Sequence, residues 1–138
     1  VGQEIRIDAS ELTGLGRDLD AAPAKALVET RASVQRGALN IKKDAQQRSS
    51  GIAHAPLYPY TITYDSHQTM TGGWAEIGPD PDKQVGGGPH RTPGNLGAIL
   101  EYGTPRNAPI PHLAPALEAE EPRLIKALGD IAVKATGL

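Results

Sequence analysis

The sequence predicts an α+β fold: a long N-terminal helix and a C-terminal helix packed on a small antiparallel β-sheet, with a long Gly/Pro-rich loop. Three observations predict it. Apolar residues recur at helical spacing within residues 21–48, and the same spacing returns from Leu117 to Ala135. Between them, Tyr58 to Asp65 alternates and is rich in β-formers, and Gly72 to Gly78 reads as a second strand. The 138 residues fit one domain, 1–138, with 1–19 as an N-terminal strand and arm and 79–94 as a flexible loop within it.

Glu4-Ile5-Arg6-Ile7-Asp8 alternates and reads as a short half-buried strand. Ser10 suits the N-cap of a brief helical turn through Leu12 and Leu15, weakened by Gly14 and Gly16. No Gly-Lys-Ser/Thr follows those glycines, so they read as a flexible connection and not as a phosphate loop. Asp20 is a good N-cap for the long helix, Pro23 suits its first turn, and Gly51 follows its last residues. Leu27, Val34, Ala38, Ile41 and Ala45 lie seven, four, three and four apart, on one stripe. Arg36, Lys42, Lys43 and Arg48 form a basic cluster, read as a solvated helix end that complements the macrodipole.

Tyr58 to Asp65 reads as a strand with Tyr60, Ile62 and Tyr64 on one face, and Pro59 suits its start or an edge. Ser66 to Thr71 reads as a polar turn, and Gly72 to Gly78 as a second, antiparallel strand. Pro79 to Gly94 is a long segment without periodicity. A connection of that length is typically functional or mobile, and Val85, Gly86, Gly87, Gly88, His90 and Arg91 are its candidate inter-subunit residues. Asn95 suits the cap of a short helix through Leu96, Ile99 and Leu100, with a strand as the competitor. Gly103 can take positive φ and stop a helix or turn a strand. Pro105, Pro109 and Pro111 keep the next crossing extended, and Pro115 suits the first turn of the following helix. Leu117, Leu124, Leu128, Ile131 and Ala135 stay in phase through Pro122, which predicts one helix with a kink there.

Composition narrows the function. With no Phe, one Trp, four Tyr and one Met, the core rests on Leu, Ile, Val and Ala, and so thin a core suits a protomer stabilised by neighbours. A formal net charge of −2 argues against a general nucleic-acid binder. Zero cysteines exclude a disulfide scaffold and any cysteine ligand or nucleophile. There is no apolar run long enough to span a membrane. His54, His67, His90 and His112 fall in no zinc-protease spacing, so no metal or cofactor is expected. Glu120 with Glu121 and Asp80 with Asp82 are carboxylate pairs, read as solvated faces. Without a Gly-x-Ser-x-Gly elbow either, there is no catalytic case and the chain is expected not to be an enzyme.

Glu101-Tyr102-Gly103-Thr104, followed by Pro111-His112-Leu113-Ala114-Pro115-Ala116 and a C-terminal helix, carries a resemblance. It resembles the neck or tail-completion components of long-tailed phages, a family named for the tenth gene product of a lambda-like phage. The likeness is sharpest over residues 98–118. It implies a structural virion protein at the head–tail joint, assembled in the host bacterial cytoplasm. Such a subunit forms a ring around the DNA channel, a hexamer by the symmetry of the tail or a dodecamer by that of the portal. Its neighbours are a stopper or adaptor, the tail terminator and the tail tube, with DNA only as cargo. On the matched positions, Tyr102 is expected to pack near the sheet edge, Leu113 to anchor the crossing, and Glu101 to pair with Arg106 or with an Arg of a neighbour. The family usually has Phe where this chain has His112, so the pocket there is either more polar or supplied by another subunit. The first alternative is a tail terminator ring, which shares size and design. A more remote one is a small ligand-binding domain or hydrolase with the Gly-rich loop as lid.

Overall fold

The computed structural model describes residues 5–8, 24–83 and 93–137. Its elements are β1 (Ile5–Asp8), α1 (Ala24–Arg48), β2 (Ile62–Gln68), β3 (Gly73–Pro79), α2 (Pro93–Tyr102) and α3 (Leu113–Thr136), with a 3₁₀ turn at Tyr58–Thr61. The fold is α+β, as the sequence predicts. The helical turn expected around Ser10–Leu15, the caps Asp20 and Pro23, and the loop residues Val85, Gly86, Gly87, Gly88, His90 and Arg91 lie outside the described residues.

The inner stripe of α1 buries Val34, Ala38, Ile41 and Ala45, joined by Ala26, Ser33 and Gly37. These small residues let other elements approach the helix axis closely. Leu27 is only half-buried. The helix stops where Ser49 donates its hydroxyl to the Ala45 carbonyl at 2.8 Å and Gly51 turns with φ 77°. In the basic cluster, Arg48 pairs with Asp44 at 2.9 Å, while Arg36 and Lys43 are exposed.

The sheet has three strands in the order β1-β3-β2, both pairs antiparallel. Register sets Tyr64 and Ile5 on either side of Ile77. Ile62, Ala75 and Ile77 are fully buried, and Ile5 and Tyr64 pack beside them on α1. The opposite face carries Thr63, Asp65, His67 and Glu76, with the His67 ring stacked 4.0 Å from Trp74. The β2–β3 turn is pinned to α1 by Arg31, whose guanidinium donates to the carbonyls of Thr69 and Gly72.

Two strand expectations are corrected. The strand expected from Tyr58 begins at Ile62, because Pro59 lacks an N–H for the ladder and instead enters a 3₁₀ turn. That turn sends Tyr58 into the core and leaves Tyr60 71% exposed, so Tyr60 does not share the face of Ile62 and Tyr64. The polar turn expected at Ser66–Thr71 shrinks to Thr69–Gly72, closed by a 3.0 Å hydrogen bond, because Ser66, His67 and Gln68 stay in the ladder.

The segment around Leu96–Leu100 is a helix, not a strand. Helix α3 runs unbroken through Pro122, as expected of one helix and not two, and ends at Gly137 with φ 71°. One apolar cluster links α1, the sheet, Leu100 of α2, and Leu113, Ala116 and Leu128 of α3.

Candidate functional site

The segment carrying the resemblance is where α2, the Pro-rich crossing and α3 are tied together. Gly103 ends α2 with φ 74°, its N–H bonded to the Ile99 carbonyl at 2.8 Å. Thr104 and Asn107 form a one-pair bridge, and the Thr104 hydroxyl accepts the Arg106 and Asn107 N–H groups at 3.3 and 3.1 Å. The crossing then returns along α2, with the Ile110 N–H on the Leu100 carbonyl at 2.6 Å.

Helix α3 has no local cap: His112, at its N-cap position, makes no side-chain cap bond. The first N–H groups of a helix need acceptors, and here Glu101 supplies them from another helix. Its Oε2 accepts from His112 N at 2.8 Å and Leu113 N at 3.0 Å, and its Oε1 from Ala114 N at 3.0 Å. The carboxylate also meets the positive end of the α3 macrodipole. Burial pushes the Glu101 carboxyl upward. The N–H groups of Leu113, Ala114 and His112, with the His112 ring, outweigh it and hold the carboxyl below the usual range.

His112 completes the lock and is fully buried. Its Nδ1 lies 3.0 Å from both the Ile110 carbonyl and Glu101 Oε2, two acceptors, which places the hydrogen on Nδ1. Nε2 then accepts the Tyr58 hydroxyl at 2.6 Å, and the rings meet edge-to-face at 5.1 Å. Burial, and after it the Glu101 charge, push the Tyr58 phenol up. The fully buried phenol is held in this hydrogen bond, away from solvent. The surroundings of His112 are thus polar and made within the chain.

Other matched residues separate into buried and exposed. Leu113 and Ala116 are in the core, and Pro115 sits in the first turn of α3, as expected. Pro111 and Thr104 are exposed. Two expectations are corrected. Glu101 does not pair with Arg106, since its oxygens are occupied by the α3 N-terminus, and Arg106 is exposed in the Thr104–Asn107 turn. Tyr102 is 72% exposed and does not pack at the sheet edge, because the inward positions of α2 belong to Leu100 and Glu101.

Glu120 is also corrected: it is buried, not part of a solvated face. It accepts Asn40 Nδ2 at 3.0 Å and faces Arg123 at 3.5 Å, joining α1 to α3. Asp80 and Asp82 line a cleft of about 410 Å³ together with Asp65 and Glu76 from the sheet. Among the described residues, no group of three or more His, Asp or Glu side chains is arranged to hold a metal, and no helix is long and apolar enough to cross a membrane.

Sequence reasoning missed Tyr58 as the partner of His112 and Glu101 as the cap of α3. One signal for the second was present: no Ser, Thr, Asp or Asn stands within four residues before Leu113.

The lock predicts an energetic coupling. Tyr58→Phe strips the buried Nε2 of its donor, and His112→Phe strips the buried hydroxyl of its acceptor. Each is expected to cost about 1–3 kcal/mol. The double variant should cost less than the sum, by about 1 kcal/mol, since it leaves no orphan of that pair. Urea unfolding of the four proteins checks this. Additive losses would show that the 2.6 Å contact contributes nothing of its own.

Site and fold together define a small α+β protein whose buried polar residues hold helices to one another. No protein-family model, curated protein or solved structure matches this chain.

Proposed function

We propose that this chain is a structural virion subunit of a long-tailed bacteriophage, a neck or tail-completion component at the head–tail joint. Copies close into a ring, six by the usual tail symmetry, around the channel through which DNA passes as cargo. Its other contacts are the adjoining neck and tail proteins.

The observation that carries this reading is the distribution of exposed apolar side chains on a protomer with a thin core. Val28 on α1 and Ile125 on α3 are each 62% exposed, Tyr60 is 71% and Tyr102 72% exposed. They lie on separate elements, which suits a subunit contacted on more than one side. A closed ring needs two different surfaces per subunit. The residues of the resemblance support the reading in a second way: Glu101, Gly103, Leu113, Pro115 and Ala116 all serve the α2–α3 junction. They are placed to hold a framework, while Tyr102 between them faces outward.

The test is complementation. Extracts holding DNA-filled heads and finished tails, but lacking this subunit, should yield joined infectious particles when the purified chain is added. Unchanged titre with folded protein added in excess contradicts the proposal.

A further inference from the structure

Strand β2 is an edge of the sheet, and its outer side is open. The Thr69 N–H bonds to the Gly72 carbonyl, so these two residues face each other as a hydrogen-bonded pair. Bonded and non-bonded pairs alternate along an antiparallel ladder. Counted back from Thr69, the register therefore turns the N–H and C=O groups of His67, Asp65 and Thr63 toward β3. Those of Gln68, Ser66, Tyr64 and Ile62 point outward. Gln46 Nε2 takes the Ile62 carbonyl at 3.3 Å. Among the described residues, none bonds to the outward backbone groups of Tyr64, Ser66 and Gln68. The stretch from Tyr64 to Gln68 has no Pro, Gly or Lys of the kind that blunts an exposed edge.

We propose that this edge pairs with the same edge of a second copy, β2 against β2 antiparallel, about a two-fold axis at Ser66. Ser66 then exchanges both backbone bonds with its mate, and Tyr64 of each copy does so with Gln68 of the other. Two protomers become one continuous sheet, joined by roughly six backbone hydrogen bonds.

Charge selects this register. It sets Asp65 directly opposite His67 of the second copy, twice, on the solvent face, with Cβ atoms ~4.5–5.5 Å apart. Both residues are exposed. Within its own chain Asp65 faces Glu76, like charge beside like, and has no ion-pair partner among the described residues. An imidazole offers it an N–H in either charge state, and a positive charge once protonated. The His67 ring is held on this face by its stack on Trp74. An axis one residue to either side sets Asp65 on Asp65 or His67 on His67. An axis at Tyr64 needs the Ile62 carbonyl that Gln46 already holds, and one at Gln68 runs past the end of β2.

Helix α1 enlarges the contact. Arg31 bonds to the Thr69 carbonyl just past one end of β2, and Gln46 to the Ile62 carbonyl at the other, so α1 runs along this edge. It packs on both β2 and β3, which seats its axis about half a strand spacing inside the edge. With strands ~4.8 Å apart, the two copies of α1 come about 10 Å apart, the separation of packed helices. On the flank that carries Gln46, Val28, Gln35, Leu39 and Lys42 recur at helical spacing. Val28 is 62% exposed and Leu39 is half-buried. The opposite flank is occupied, since Asn40 there bonds to Glu120 of α3. Pairing thus covers a backbone edge and the helix flank beside it together. The contact is isologous, unlike the one that closes a ring, and does not rest on the function proposed above.

Sedimentation velocity of the full chain from about 1 to about 300 µM should show monomer passing into dimer. Ser66→Pro removes an N–H that faces away from β3, so the protomer should keep its circular dichroism spectrum and stay monomeric. His67→Asp sets carboxylate opposite carboxylate twice and should weaken the dimer about tenfold. Adding Asp65→His to that variant swaps the pair and should restore the affinity to within about threefold. The chain has no cysteine, so Ser66→Cys provides a single thiol at the axis, and mild oxidation should convert it to a covalent dimer. Gln68→Cys, about 14 Å from its symmetry mate, should not cross-link. A monomer at every concentration, as expected if the edge takes a strand of an unlike protein, would overturn the proposal. So would dimers that survive Ser66→Pro, a swap that restores nothing, or equal cross-linking of the two cysteine variants.

Discussion

Replacing Gly103 by Val is expected to abolish folding at ordinary temperatures. Two effects add. The residue sits at φ 74°, which costs an L-residue about 1–2 kcal/mol and a β-branched one more. A Cβ there would also lie 2.8 Å from Pro109 N and 2.9 Å from both Asn107 O and Pro109 Cδ. These atoms belong to the backbone and a ring, so they cannot rotate aside. The sum should exceed ~4 kcal/mol, a large part of the ~5–15 kcal/mol available to a domain. Gly103→Asn separates the two effects. Asn tolerates positive φ, yet its Cβ meets the same atoms, so it should be nearly as damaging. Gly51→Asn is the control: φ is 77°, but a Cβ there meets nothing within 4 Å, and the loss should stay below about 1 kcal/mol. Thermal unfolding of the three variants checks the order.

The second large effect is at Glu101. Glu101→Ala leaves the His112, Leu113 and Ala114 N–H groups without their acceptor at a largely buried helix start. Loss of a charged cap with several hydrogen bonds should cost about 3 kcal/mol. Glu101→Gln keeps acceptor oxygen but neither the charge nor the second acceptor, and should fall between wild type and Ala. The lowered carboxyl pKa gives the pH dependence. Because the folded-state value lies below the unfolded one, this stabilisation is complete above the unfolded carboxyl pKa, about 4.3. It is lost as pH falls through the folded value. Glu101→Gln should therefore flatten the acid limb of the stability profile while leaving its shape at neutral pH unchanged. An acid limb as steep as wild type would place the responsible carboxylate elsewhere.

Periodicity made much of the fold legible. Val34, Ala38, Ile41 and Ala45 mark α1, and Leu124, Leu128 and Ile131 mark α3 in phase across Pro122, because helical burial repeats along the chain itself. The start of β2 was hidden because Tyr58-Pro59-Tyr60 has strand composition, while the missing Pro59 N–H and the pull of His112 on Tyr58 decide otherwise. Gly103 was readable as a turn from residue type alone. Glu101 and Glu120 were not readable as buried, since a carboxylate is solvated unless acceptors are needed nearby. That need arises only when α3 begins beside α2 and when Asn40 of α1 comes against α3. His112 stood out as a departure from a pattern, but its partner is 54 residues away in the chain and no local spacing points to it.

The functional proposal meets its most direct test on particles. A gold-labelled antibody raised against this chain, applied to intact virions, free heads and free tails, should mark the head–tail joint and one of the two separated halves at their joining end. Absence of label from every particle, with the epitope shown to be reachable on the folded chain, would contradict a place in the virion.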